Sequence, residues 1–165
     1  MLITEGGLDD PQVQALLAHH VQSARGQTDP DSAHALDGDG LRSPDVTFWA
    51  VWDGDRVIAT GALRRLSASH GEIKSMHTVA SSRGQGIGSA MLRQIVSEAR
   101  RKGMSRLSLE TGVQPFFAPA RALYRRHGFA PCPPFGAYRP DPNSVFMTLD
   151  LRQADAAGEA DVSGR

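Results

Sequence analysis

The segment Arg83-Gly84-Gln85-Gly86-Ile87-Gly88 restricts this chain more than any other part of it. It lies between an apolar-patterned strand candidate, residues 72–79, and an amphipathic helix candidate, residues 86–102. Three alternating glycines at a strand-to-helix turn let the backbone come close to another molecule. The first N–H groups of such a helix point outward without intrahelical acceptors, and the helix dipole favours negative charge there. Arg83 adds a full positive charge at the same place. The pattern reads as a cradle for a phosphate or pyrophosphate. The alternative reading is a tight glycine-rich connection and nothing more.

Spacing narrows the kind of cradle. A nucleotide P-loop needs GxxxxGK[ST], which is absent, and a dinucleotide fingerprint needs GxGxxG, where this chain has Ser89 in the third glycine's place. What remains is [RQ]-x-x-G-x-[GA], filled by Arg83, Gly86 and Gly88. The flanks fit a cradle. Glu72-Ile73-Lys74-Ser75-Met76-His77-Thr78-Val79 reads as a strand ending in β-branched residues. Ile87, Met91, Leu92, Ile95, Val96 and Ala99 recur at helical spacing, and Gly103 stops the helix. A strand over 106–111 follows, then a helix over Ala118–His127, with Pro119 near its start and Gly128 just past its end.

Two signatures in this order resemble the GNAT acetyltransferase superfamily. The first is the Arg83–Gly88 loop, similar to that family's acyl-CoA pyrophosphate loop. The second is Ala120-Arg121-Ala122-Leu123-Tyr124-Arg125-Arg126-His127-Gly128-Phe129, similar to its A-x-x-L-Y-x-x-x-G-F segment. The resemblance covers about residues 2–151. It implies an α/β (α+β) fold with a mixed, mostly antiparallel sheet of six to seven strands, flanked by about four helices. In such a sheet the fourth and fifth strands splay apart and acyl-CoA lies in the gap.

The rest of the chain agrees with that order of elements. Met1–Glu5 is a strand candidate. Pro11–Ala24 is a helix with Val13, Leu16, Leu17, His20 and Val21 on one face, capped by Asp9 or Asp10. A short helix is expected in Ser32–Leu36. Val46–Trp52 and Arg56–Leu66 form a hairpin across Asp53-Gly54-Asp55. Pro133–Pro142 is turn-rich and Ser144–Leu151 is the last strand. Residues 1–151 read as a single N-acetyltransferase domain, and 152–165, which have almost nothing to bury, as a flexible tail.

Composition excludes several other classes. With 18 acidic and 18 basic residues the formal net charge of the 165-residue chain is zero, so nothing points to nucleic acid. No apolar run reaches the roughly 20 residues that span a bilayer. A lone cysteine, Cys132, and the lack of a secretory signal pattern suit a reducing cytoplasm. The spacing of His20, His34, His70 and His127 is not that of metal ligands, so no metal is expected.

The resemblance assigns roles residue by residue. Amides of Gly84, Gln85, Gly86, Ile87, Gly88 and Ser89, beside Arg83, would hold the pyrophosphate of acetyl-CoA as co-substrate. Main-chain groups of Met76, His77 and Thr78 would pair with the pantetheine arm like an added strand. Tyr124 matches the tyrosine that many members place beside the CoA sulfur. A phenol of pKa about 10 is suited to protonating a thiolate whose thiol pKa is about 8.5. The alternative for Tyr124 is packing against Leu123 and Phe129. Glu72, eleven residues before Arg83, stands where several members carry the carboxylate that deprotonates the acceptor. The alternative is a solvated strand-end glutamate. His77 competes with Glu72 as base, and strict alternation puts the two on opposite faces unless a bulge intervenes.

One position departs from the family: Phe117 stands seven residues before Tyr124, where many members have an asparagine that contacts the cofactor. The acceptor region is expected to contain Asp29, Asp31, His34, Asp37, Asp39, Tyr138, Arg139 and Asp141. The expected function is direct transfer of an acetyl group from acetyl-CoA to a small-molecule amine. A non-catalytic acyl-CoA-binding module and transfer to a protein amine are the alternatives. The resemblance also allows a homodimer.

Overall fold

The computed structural model of the chain describes residues 1–27 and 38–152. The helix expected in Ser32–Leu36 and the tail from residue 153 onward lie outside the described residues, as do Asp29, Asp31, His34, Asp37 and the side chain of Asp39. The elements run β1 (Leu2–Glu5), α1 (Pro11–Gln27), α2 (Gly38–Leu41), β2 (Val46–Asp53), β3 (Arg56–Arg65), β4 (His70–Thr78), α3 (Ile87–Arg101), β5 (Arg106–Gly112), α4 (Ala118–Arg126), β6 (Ala130–Cys132) and β7 (Ser144–Asp150). Most boundaries shift by one to three residues: β4 starts at His70, α1 runs on to Gln27, and the last strand ends at Asp150.

The seven strands form one mixed sheet in the order β1-β2-β3-β4-β5-β7-β6. Among these neighbours only β4 and β5 are parallel; the others are antiparallel. The β4–β5 pairing is also the shortest in the sheet's middle: His70 with Arg106, Gly71 with Leu107 and Glu72 with Ser108, after which the strands part. The edge strand β6 pairs Pro131 with Met147, which an edge position tolerates because proline lacks a donor.

Helices cover both faces, so the middle strands are buried on both sides. On one face α3 and α4 pack Ile87, Met91, Leu92, Ile95 and Tyr124 against Trp49, Ile73, Leu107 and Leu109. On the other, α1 packs Val13, Leu16 and Leu17 against Phe48, Ala50, Val57 and Ala62. Each fully buried aliphatic side chain here contributes on the order of 1.5–3 kcal/mol. The expected start of α1 holds, with Asp10 as its cap: its carboxylate accepts from the N–H of Gln12 at 2.8 Å and of Val13 at 3.4 Å.

One irregularity decides the geometry of the site. Between Thr60 and Ala62 the β3–β4 register shifts, so that Thr60 faces His77, Ala62 faces Lys74 and Arg64 faces Glu72. The extra residue lies at Ser75, whose φ of 55° is the one left-handed value among described non-glycine residues. Thr60 Oγ1 donates to the Ser75 carbonyl at 2.8 Å and holds the bulge. Because 60, 62 and 64 alternate regularly on β3, their partners Glu72, Lys74 and His77 all fall on one face of β4. That face is the α1 side.

Candidate active site

The parting of β4 and β5 opens a cleft of about 470 Å³. Its cofactor-like end is made of backbone. Gly84 and Gly86 have φ of 77° and 80°, a left-handed conformation that side chains with a Cβ adopt at a cost of about 1–2 kcal/mol. Gly86 is the N-cap of α3 and carries no side-chain capping bond. Among the described residues nothing accepts a hydrogen bond from the N–H groups of residues 84–89; the first amide engaged is that of Ala90, with the Gly86 carbonyl at 3.0 Å. A turn of open amides therefore stands at the positive end of α3. Arg83 Nε donates to the Thr78 carbonyl at 3.2 Å, which ties the loop to the end of β4. Ser89 Oγ sits 3.0 Å from His127 Nε2 and links α3 to the end of α4.

The opposite wall comes from β5 and α4. Gly112 ends β5, and a Cβ there would lie 2.2 Å from the ring of Phe117, so glycine lets the ring lie against the strand. Arg121 Nη1 donates to the carbonyls of Gly112 at 2.6 Å and Gln114 at 3.1 Å, fixing the turn into α4. Phe116 and Phe117 meet edge to face and both line the cleft. Tyr124 reaches the cleft from α4 with its ring edge-on to Phe129, and burial pushes its phenol above the ordinary value of 10. Its hydroxyl has no hydrogen-bond partner among the described residues, and the raised pKa keeps it protonated at any physiological pH.

The α1 side of the cleft holds two side-chain groups. In the first, Tyr138, from the loop before β7, donates its hydroxyl proton to Glu72 Oε2 at 2.6 Å and accepts from Lys74 Nζ at 2.9 Å. Lys74 Nζ also lies 3.5 Å from Glu72 Oε2. Burial, then the charge of Glu72 and its hydrogen bond, raise the Tyr138 phenol. Glu72 is only 2% exposed, and it is Lys74 that faces the cleft. In the second, His20 of α1 and His77 of β4 face each other with Nδ1 atoms 3.3 Å apart. Both are held down to about 4, His77 by burial, then His20 and Arg83, and His20 by burial, then Lys74. Both rings are therefore neutral at pH 7.

These features match a known family. The model of the acetyltransferase (GNAT) family fits residues 14–129. The chain belongs to the GNAT acetyltransferase family. The uncharacterised N-acetyltransferase YedL of Escherichia coli K12 is 47% identical over 144 residues, covering 87% of this chain and 91% of that protein. An IAA acetyltransferase of Azospirillum brasilense is 42% identical over 122 residues, 73% of this chain and 78% of that one. A crystal structure from Klebsiella pneumoniae, assigned as an acyl-CoA N-acyltransferase, superposes with a TM-score of 0.74 at 28% identity, over 91% of this chain and 97% of that one. The chain is thus an acyltransferase, with the mixed sheet and parted strands expected of a GNAT protein.

The fold brings most of the GNAT-derived positions together. Met76, His77, Thr78, Arg83, Gly84, Gly86, Ile87, Gly88, Ser89 and Tyr124 all line the one cleft; Gln85 lies in the same loop, exposed. Glu72 does not line it. Arg139 is exposed. Sequence reasoning passed over Lys74, and it placed Tyr138 in the acceptor region without its contact to Glu72. The signal for Lys74 was its i, i+2 spacing from Glu72 on a strand, which puts both side chains on one face. The bulge that adds His77 to that face had no signal in the residue types. Among the described residues no group of histidine, cysteine and carboxylate side chains is arranged to hold a metal ion, and no helix is long and apolar enough to cross a membrane.

Proposed function

We propose that this protein is an acetyl-CoA-dependent N-acetyltransferase that moves the acetyl group directly to the amine of a small molecule. The observation carrying the proposal is that a turn of uncapped amides and a protonated, unpartnered tyrosine hydroxyl open into one cleft where two parallel strands part. Amides 84–89 would receive the pyrophosphate, whose charge suits the end of α3. Beyond Glu72 the β5-facing edge of β4 has no strand partner, so main-chain groups of Met76–Thr78 are available to pair with the pantetheine arm. That would place the thioester in the gap, beside Tyr124.

The chemistry needs a neutral amine, a polarised carbonyl and a thiolate that gains a proton. Tyr124 supplies that last proton as general acid. Glu72 contributes from beneath the cleft by holding Tyr138 and Lys74 in place. The cleft-facing Lys74 and the neutral His20–His77 pair form the wall that an acceptor would meet.

The test is a thiol-release screen with acetyl-CoA against amines, amino acids, aminoglycosides and IAA, with Tyr124→Phe as control. Acceptor-dependent thiol release that falls in the variant supports the proposal. Tight CoA binding without release on any panel would instead favour a binding module.

A further inference from the structure

We infer that Glu110 is the carboxylate that takes the proton from the attacking amine. The inference rests on the acyl-transfer reading above and assigns its missing base. Among the described residues, Glu110 is the one acidic side chain that lines the cleft.

Its position follows from strand geometry. Leu107 and Leu109 of β5 are buried in the core shared with α3, α4 and Tyr124. Alternation then turns Ser108 and Glu110 to the other face, the side of Glu72, Lys74 and His77. Ser108 belongs to the last β4–β5 pair, so Glu110 is the first residue on that face past the point where the strands part. Tyr124 reaches the same gap from the opposite face. An acid and a carboxylate therefore flank the gap from its two sides, so that one can serve the leaving sulfur and the other the attacking nitrogen.

The carboxylate is also oriented. Ser144 Oγ of β7 donates to Glu110 Oε2 at 2.8 Å, and Glu110 is half-buried. The titratable groups on this side of the cleft are Lys74, His20 and His77; Tyr138 beside them feels the charge of both Glu72 and Glu110. The histidines face each other through Nδ1 atoms 3.3 Å apart, so that contact occupies one ring's lone pair and the other ring's proton. Glu72 is sealed beneath Tyr138 and Lys74.

The step balances. The amine nitrogen bonds to the thioester carbon as the carbon–sulfur bond breaks. The amine proton passes to Glu110 and the departing thiolate takes the Tyr124 proton. Exchange of one proton with water, from Glu110 and to Tyr124, resets both groups.

The experiment uses the full chain with acetyl-CoA and the best amine of the panel, and follows acetyl-CoA hydrolysis by water in parallel. For Glu110→Gln we expect turnover to fall about 100-fold or more. The acidic limb of the pH–rate profile should vanish, while CoA affinity by calorimetry stays unchanged. Glu110→Asp should keep the limb at reduced rate, and Glu72→Gln should keep it too. Native-like turnover with an intact limb in Glu110→Gln overturns the inference. So does a native protein that transfers acetyl to neither amine nor water; CoA affinity then reports separately on the cofactor cradle.

Discussion

The two sides of the cleft are built by opposite means. On the proposed cofactor side the cleft offers backbone amides, opened by glycines in a left-handed conformation and left uncapped at the start of α3. On the acceptor side they are side chains, brought together from α1, β4, β5, β7 and the loop before β7. The first needs only a local stretch of chain and tolerates any side chain that stays out of the way. The second exists only when a bulge, a strand register and a distant loop all agree. The first therefore depends on side chains only where glycine is needed for a positive φ, whereas the second depends on the identity of every side chain in it.

Breaking the acceptor-side network should have the largest effect. Glu72→Gln leaves the buried Lys74 without its carboxylate, and a cost on the order of 3 kcal/mol in unfolding free energy is expected. Urea unfolding measures it, and a loss within experimental error would mean that the Tyr138–Glu72–Lys74 contacts contribute little. Tyr124→Phe comes next, with turnover lowered about 100-fold, or about 2.7 kcal/mol, and CoA affinity retained. Unchanged turnover would remove its role as acid.

On the cofactor side the expected effect is smaller. Gly86→Val forces a β-branched residue to φ near 80° and should weaken CoA about 10-fold, matching about 1–2 kcal/mol of backbone strain. The same strain should lower the melting temperature by a few degrees and no more, because a Cβ there meets no atom within 4 Å. If melting collapses while CoA binding persists, the two sides are less separable than described.

The smallest effect concerns pH. His77 titrates at about 4 in the folded protein against an ordinary 6.5, so the folded state holds the neutral ring while the unfolded chain takes up a proton. Its contribution is complete above pH 6.5 and is lost as pH falls toward 4. His77→Gln should flatten the fall in stability between those values by on the order of 1 kcal/mol, after allowing for solvent screening of a half-buried ring. An unchanged pH slope would show that the His20–His77 contact carries no such linkage.

The same contrast explains what was legible in the sequence. The strand, glycine turn and helix from His70 to Arg101 follow from local periodicity and from glycine chemistry, and so does the cradle. The parting of β4 and β5 came from family resemblance, since periodicity cannot say where parallel pairing stops. Ser75 gave no sign of its bulge: serine does not advertise a positive φ, and only the register of β3 against β4 reveals it. The residues after Phe129 were harder still. Residues 130–132 are too short and proline-bearing to announce an edge strand, and Tyr138 finds Glu72 across 66 positions of chain. Glu110 sat in a correctly read alternating strand, but alternation alone does not say which face opens onto a cleft.

The most direct test of the central claim is a calorimetric titration of the full chain with CoA and, separately, with pantetheine, which lacks the pyrophosphate. Open amides at residues 84–89 predict low-micromolar binding of CoA and binding of pantetheine weaker by at least about 100-fold, the equivalent of about 2.7 kcal/mol. Equal affinity for the two, or no affinity for CoA, would contradict it.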